Sequence, residues 1–258
     1  MARDEALLES VGAGESPPTL RFYSWSPATI SIGYVQEIAE FERLPPPAGS
    51  LPVVRRATGG GAILHDGELT YSIVLPISHG WVGRRPNDLY ERIHSIIRRA
   101  TGDRVRLFRD MAERCDPAVV CGESARRGPF FCFARRHALD LVTVDPAGPG
   151  GCSKLAGSAQ RRTRQVVLQH GSIILTKRYE QQPCAAWSAL GGPATTEQAI
   201  ERLLSVFQND ADVKLSKDLW RDEEFSRVEQ LRAVYAGEDW THHGLRPETA
   251  GSASEATR

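Results

Sequence analysis

The chain has 258 residues, 41% of them hydrophobic and 25% charged, with 32 basic and 32 acidic side chains that cancel to a formal net charge of zero. That balance excludes nucleic acid or an anionic membrane as the main partner, and no apolar run is long enough to cross a bilayer. Two acids in Met1-Ala2-Arg3-Asp4-Glu5-Ala6 and the lack of an apolar signal core predict a cytoplasmic protein. The five cysteines, Cys115, Cys121, Cys132, Cys152 and Cys184, show neither a Cys-x-x-Cys metal pair nor a disulfide framework, and predict reduced thiols and no metal site.

Residues 2–10 read as a short amphipathic helix with Leu7 and Leu8 facing in, followed by a Gly/Pro/Ser linker over 11–18. Leu20 to Trp25 and Thr29 to Tyr34 alternate as half-buried strands. Pro45-Pro46-Pro47 marks a loop, and Pro52-Val53-Val54 a short strand. There follows Arg55-Arg56-Ala57-Thr58-Gly59-Gly60-Gly61-Ala62-Ile63-Leu64-His65, two arginines and three consecutive glycines at a bend between strands. Glycine removes the Cβ and permits positive φ, so the backbone can approach a ligand closely. Adjacent arginines add donors for a carbonyl, carboxylate or phosphate. The alternative is a glycine-rich turn beside a solvated arginine pair. The glycine spacing fits neither a Walker loop nor a dinucleotide fingerprint.

Leu69 to Pro76 reads as a strand, and a helix capped by Asn87 or Asp88 runs to about Arg99, with Leu89, Ile93, Ile96 and Ile97 as its stripe and Gly102 as its end. His94 on this helix reads as a surface or edge residue. Val105 to Phe108 and Leu139 to Val144 are further strands, and Asp145 to Gly151 a loop that takes in Cys152. Lys154 to Arg162 leads to Val166 to Leu175, and that last piece reads as strand, polar break at Gln169-His170-Gly171-Ser172, strand. Beyond Thr195 the period turns helical, first with Ile200, Leu203, Leu204 and Phe207, then with Trp220, Phe225, Val228 and Leu231. The chain divides into a catalytic unit over 1–210, a helical extension over 211–240 and a disordered tail over 241–258.

Cys132 sits among Phe130, Phe131 and Phe133, a setting that suits an inert core thiol. Lys154 gives it a second reading. The small residues Gly157-Ser158-Ala159 beside the lysine allow close approach of a substrate, and an ammonium near a thiol stabilises the thiolate. Such a cysteine can carry an acyl group as a thioester. Lys154 can equally be a solvated lysine. His170 and His65 divide evenly between a site-lining and a structural role.

Three blocks in order, Arg55 to His65, Lys154 to Arg161 and Leu168 to Leu175, resemble the signature blocks of the lipoate/biotin protein ligase superfamily over roughly residues 2–210. Cys132-Phe133 ahead of the lysine block, with Gln160 and Gln169, resembles the cysteine-dependent octanoyltransferases of the lipoate–protein ligase A-like type. The resemblance implies an α+β fold, a mostly antiparallel central sheet with flanking helices. It implies Cys132 as acyl-thioester nucleophile and Lys154 as the residue favouring its thiolate. Arg55, Arg56, Thr58, Gly59, Gly60, Gly61 and His65, with Gly157, Ser158, Ala159, Gln160, Gln169, His170 and Gly171, would line the substrate pocket. No cofactor is implied, since thioester exchange needs no ATP. The implied donor is acyl carrier protein, and the implied acceptors are lipoyl-domain proteins such as glycine-cleavage H protein or 2-oxo acid dehydrogenase subunits. The alternatives are an ATP-dependent lipoate–protein ligase and a non-catalytic module that binds a carrier or an acyl group. Arg135-Arg136-His137 offers positive charge to an acidic carrier, or stands as a solvated edge.

Overall fold

A computed structural model describes residues 1–111, 115, 128–145, 151–209 and 213–245. Its centre is a six-stranded antiparallel sheet in the order β1 (Thr19–Tyr23), β5 (Glu68–Pro76), β9 (Val166–Ile174), β8 (Cys152–Arg162), β7 (Leu141–Val144), β6 (Arg106–Leu107). A smaller sheet orders β3 (Val53–Arg55), β2 (Thr29–Ile32) and β4 (Ile63–His65), with β2 parallel to β3 and antiparallel to β4. The fold is the α+β class with a mostly antiparallel sheet that the sequence predicts.

One face of the large sheet is covered by α3 (Pro86–Thr101). Leu89, Ile93, Ile96, Ile97 and Ala100 recur at helical spacing and pack on Leu69, Tyr71, Ile73, Leu155 and Ile173. Arg85, not Asn87 or Asp88, is the N-cap; Pro86 takes the first turn, and Asp88 returns to accept the Arg85 N–H at 3.0 Å. α4 (Thr196–Asn209) closes the same core through Ala199, Leu203 and Phe207. The second C-terminal helix, α5 (Asp222–Ala236), buries Val228, Leu231 and Tyr235 against α1 (Ala2–Gly12) and leaves Phe225 exposed. Among the described residues no helix is long and apolar enough to cross a membrane.

Four expectations need correction. Residues 241–245, assigned to the tail, are packed: the π-helical turn Asp239–His243 buries Trp240 and Thr241, while 246–258 lies outside the described residues. No polar break divides β9, which runs straight through Gln169-His170-Gly171-Ser172, with the Gln169 and His170 side chains satisfied by partners on opposite sides of the sheet. Cys152 opens β8 rather than sitting in a loop, and it is joined to Cys115 by a disulfide with a Cα–Cα distance of 5.7 Å. The expectation of reduced thiols therefore does not hold for that pair; residues 37 apart in sequence meet only once β7 and β8 form. Cys132 and Cys184 are free, and Cys121 lies outside the described residues.

Candidate functional site

Cys132 opens a short 3₁₀ turn, Cys132–Ala134, that the end of the glycine bend holds in place. The Ala62 N–H donates to Phe130 O at 2.9 Å, and the Cys132 N–H donates to Ala62 O at 2.7 Å. A methyl on Gly61 would lie 2.9 Å from Cys132 N, so only glycine allows this contact. The half-buried thiol then faces Lys154, whose ammonium donates to Cys132 Sγ at 3.5 Å and to Asp140 Oδ2 at 2.7 Å. Burial lowers the proton affinity of the Lys154 amine, but the Asp140 carboxylate and Cys132 more than offset it, and it titrates above the ordinary lysine value. Gly157 makes room for this side chain: a methyl there would meet Lys154 Cε at 2.2 Å and Nζ at 2.4 Å.

Asp140 is held by two further donors. It accepts from Tyr90 Oη at 2.8 Å and from the His137 N–H at 2.7 Å. Tyr90 in turn accepts the Ser158 N–H at 2.9 Å. Sequence reading missed Asp140 and Tyr90, and it placed His94 at the surface. His94 is fully buried. Its Nδ1–H donates to Leu139 O at 2.7 Å, which leaves Nε2 to accept from Ser158 Oγ at 2.6 Å. Burial pushes its pKa down to about 4, so the ring is neutral. The clue was in the helix itself, since His94 follows Ile93 at the edge of the apolar stripe.

The two arginines of the bend part company. Arg56 lies behind the glycines, donating to Gly59 O at 3.1 Å, Gly61 O at 2.9 Å and Ser31 Oγ at 2.8 Å. It lines the cleft, and burial brings its pKa down to about 10. Arg55, expected among the substrate contacts, turns the other way and is spent on backbone carbonyls, outside the cleft. His65 accepts from Ser31 at 2.6 Å, pairs with buried Glu68, and is stacked under Trp25 with ring centroids 4.0 Å apart.

Alternation along β9 sorts the remaining residues. His170 faces the bend: its Nε2 meets Thr58 Oγ1 at 2.7 Å, and its Nδ1 lies 3.4 Å from Asp4 Oδ2. Burial lowers the His170 pKa despite Asp4. Asp4 itself, which burial alone would raise, is held well below the carboxylate range chiefly by Arg21 and His170. Gln169 faces the other side, accepting from Gln160 at 2.8 Å and donating to Tyr71 Oη at 3.0 Å, so both glutamines are framework rather than cleft wall. Thr58 likewise acts through His170. Gly171 has no room for a methyl, which would sit 2.4 Å from Ser158 Oγ.

The result is a cleft, part of it open to solvent, walled by Gly59, Gly60, Cys132, Gly157, Ser158, Ala159, His170 and Gly171. Arg56 and His65 line it as expected, and Met1, Tyr23, Trp25, Ile63, Thr70, Phe133 and Ser172, which were not foreseen, complete it. In the basic run beyond the cysteine, Arg135 is half-buried and His137 is exposed. Arg136 is buried and braces the carbonyls of Phe133, Arg135 and Cys152, and Arg135 holds those of Gly128 and Pro129. Among the described residues no group of His, Cys, Asp or Glu could hold a metal ion.

A thiol, a fixed ammonium and glycine backbone thus meet at one cleft. Residues 1–181 match the family model described as the lipoyl protein ligase A/B catalytic domain, and the chain belongs to that family. It is 34% identical to the octanoyltransferase LipM of Moorella thermoacetica and 31% identical to that of Brevibacillus brevis, each alignment covering 93% of this chain and 92% of the relative. These relatives are acyltransferases by name, and the chain is an enzyme of that kind. Its fold matches a lipoate-protein ligase A bound with ATP at a TM-score of 0.67, 19% identity and coverage of 95% and 93% of the two chains. It matches a lipoate protein ligase of Thermoplasma acidophilum at a TM-score of 0.65, 20% identity and coverage of 96% and 92%.

Proposed function

We propose that this chain is an octanoyltransferase of protein lipoylation that works through a thioester on Cys132. The observation that carries the reading is the 3.5 Å contact between Lys154 Nζ and Cys132 Sγ, with Asp140 at 2.7 Å behind the lysine. The thiolate attacks the carbonyl carbon of an octanoyl thioester on acyl carrier protein. The carrier's sulfur leaves and takes up the proton that Cys132 released. The ε-amine of an acceptor lysine then attacks the acyl-Cys132, an amide forms, and the Cys132 thiolate leaves as the amine gives up a proton. Acceptors are lipoyl domains, such as glycine-cleavage H protein or a 2-oxo acid dehydrogenase subunit. Gly59 and Gly60 line the same cleft, and backbone N–H groups there would suit the negative oxygen that develops at each step. The first exchange trades one thioester for another, so neither ATP nor a cofactor is required. The composition supports the cytoplasm as the setting, against which the Cys115–Cys152 disulfide stands as the contrary sign.

The test is intact mass after incubation with octanoyl-carrier protein. A hydroxylamine-labile octanoyl adduct is expected on the wild-type chain and not on Cys132→Ala. Labelling of a lipoyl domain from free lipoate and ATP, with Cys132→Ser still active, would replace this reading by that of a ligase. Binding of the carrier without any turnover would reduce the chain to a capture module.

A further inference from the structure

We infer that Arg55 is a positioning residue that makes the C-terminal turn Asp239–His243 part of the catalytic cleft's framework. The family match ends at residue 181, so the turn lies outside it. Three guanidinium nitrogens reach six backbone carbonyls. On the C-terminal side Nε donates to Trp240 O at 3.2 Å and Thr241 O at 3.0 Å, and Nη2 donates to His242 O at 3.0 Å. On the other side Nη1 donates to Gly33 O at 3.2 Å, Tyr34 O at 2.9 Å and Gln36 O at 2.7 Å. The turn returns a bond of its own, Trp240 Nε1 to Arg55 O at 3.0 Å.

The segment that Arg55 ties to the turn presses directly on the glycine bend. The Tyr34 N–H donates to Thr58 O at 2.9 Å, and a methyl on Gly33 would fall 2.0 Å from Gly60 O. Gly244, at φ 68°, brings the chain past Tyr34 and Arg55 with no side chain in the way. Trp240 packs with Tyr235 and Leu231 of α5 and with Ala6 of α1, and Ala57 of the bend borders the same cluster. The bend is thus held from behind by Arg56 and from outside by Arg55, whose anchor is the far end of the chain. A planar fork with five N–H donors suits this role, because carbonyls approach it in the plane from several sides.

Hydrogen–deuterium exchange on the full chain tests the inference without reference to any reaction. In Arg55→Met, exchange across 57–61 should rise by about tenfold while β5 and β9 keep their protection. A chain ending at Gly237 should show the same rise, and the combination should add nothing, because both lesions open one clasp. A second arm rests on the proposed octanoyl transfer: Arg55→Met should lower kcat and leave KM for the octanoyl-carrier nearly unchanged, since the bend acts on the developing oxyanion. Unchanged exchange at 57–61, loss of protection in β5 and β9 to the same degree, or additive effects of the two lesions would each overturn the inference. A raised KM at constant kcat would move the role of Arg55 to substrate binding. Failure of the transfer arm with no activity in the wild-type chain would count against the proposed reaction, and the exchange result would stand.

Discussion

Asp140 and Lys154 form an ion pair sealed inside the protein: Oδ2 and Nζ are 2.7 Å apart, and the two side chains are 1% and 3% exposed. A buried ammonium without its carboxylate costs about 3 kcal/mol or more, so Asp140→Asn should destabilise the fold by that order. It should also slow formation of the Cys132 adduct by about a hundredfold, since the ammonium loses the group that aims it. The pair has a pH signature. Lys154 titrates above its unfolded value of 10.5, so its contribution is fully present below about pH 10.5 and is lost as the pH rises through the folded value. Urea midpoints measured from about pH 9 to 11.5 should fall steeply in the wild-type chain and less in Asp140→Asn.

Two glycines at the site act by leaving space. Gly157→Ala would set a methyl 2.4 Å from Lys154 Nζ, and Gly61→Ala one 2.9 Å from Cys132 N. Each should cost about 1–3 kcal/mol through overpacking. They should differ in chemistry: the first displaces the ammonium and the second displaces the thiol's turn. Rates of Cys132 alkylation as a function of pH would separate them, with the profile shifting in Gly157→Ala and the overall rate changing in Gly61→Ala.

His94 makes stability depend on acid. Its folded pKa of about 4 lies below the ordinary 6.5, so the unfolded chain binds the proton more readily. Stability is therefore full above about pH 6.5 and falls as the pH drops toward 4, by up to about 3 kcal/mol from this residue. His170, also lowered, adds to the same trend. His94→Gln, which does not titrate, should flatten the curve; an unchanged slope would remove His94 as its source.

The Cys115–Cys152 disulfide closes a segment that contains both Cys132 and Asp140. For a separation of 37 residues the chain-entropy estimate is about 4 kcal/mol. Cys115→Ser, or reduction of the wild-type chain, should lower the melting temperature by several degrees. A melting curve that is the same with and without reductant would show that the bond contributes nothing.

The three motif blocks were legible because their oddities are local: three glycines in a row, and small residues beside a lysine. The partners of those blocks were not. Asp4 and Glu5 look like the solvated first turn of an amphipathic helix, yet Asp4 meets His170 and Glu5 meets Tyr235 and Arg161 across more than 150 residues of sequence. Asp140 stands among strand residues, and its value depends on a lysine that only the β7–β8 pairing brings near. Gln169-His170-Gly171-Ser172 looked like a break because polar groups were counted without their neighbours. Arg55 and Arg56 are adjacent and identical, so nothing in the sequence distinguishes the one in the cleft wall from the one that fastens the C-terminal turn.

Lys154 is held in its protonated form by the Asp140 carboxylate beside it. Pinned against a carboxylate, it can lend its field to a sulfur anion but cannot serve as a base that collects hydrogen and hands it on. In the proposed transfer, the proton that the attacking amine sheds would then pass to solvent or to the released Cys132 sulfur. In that reading the centre would act through steady electrostatics rather than through a proton shuttle.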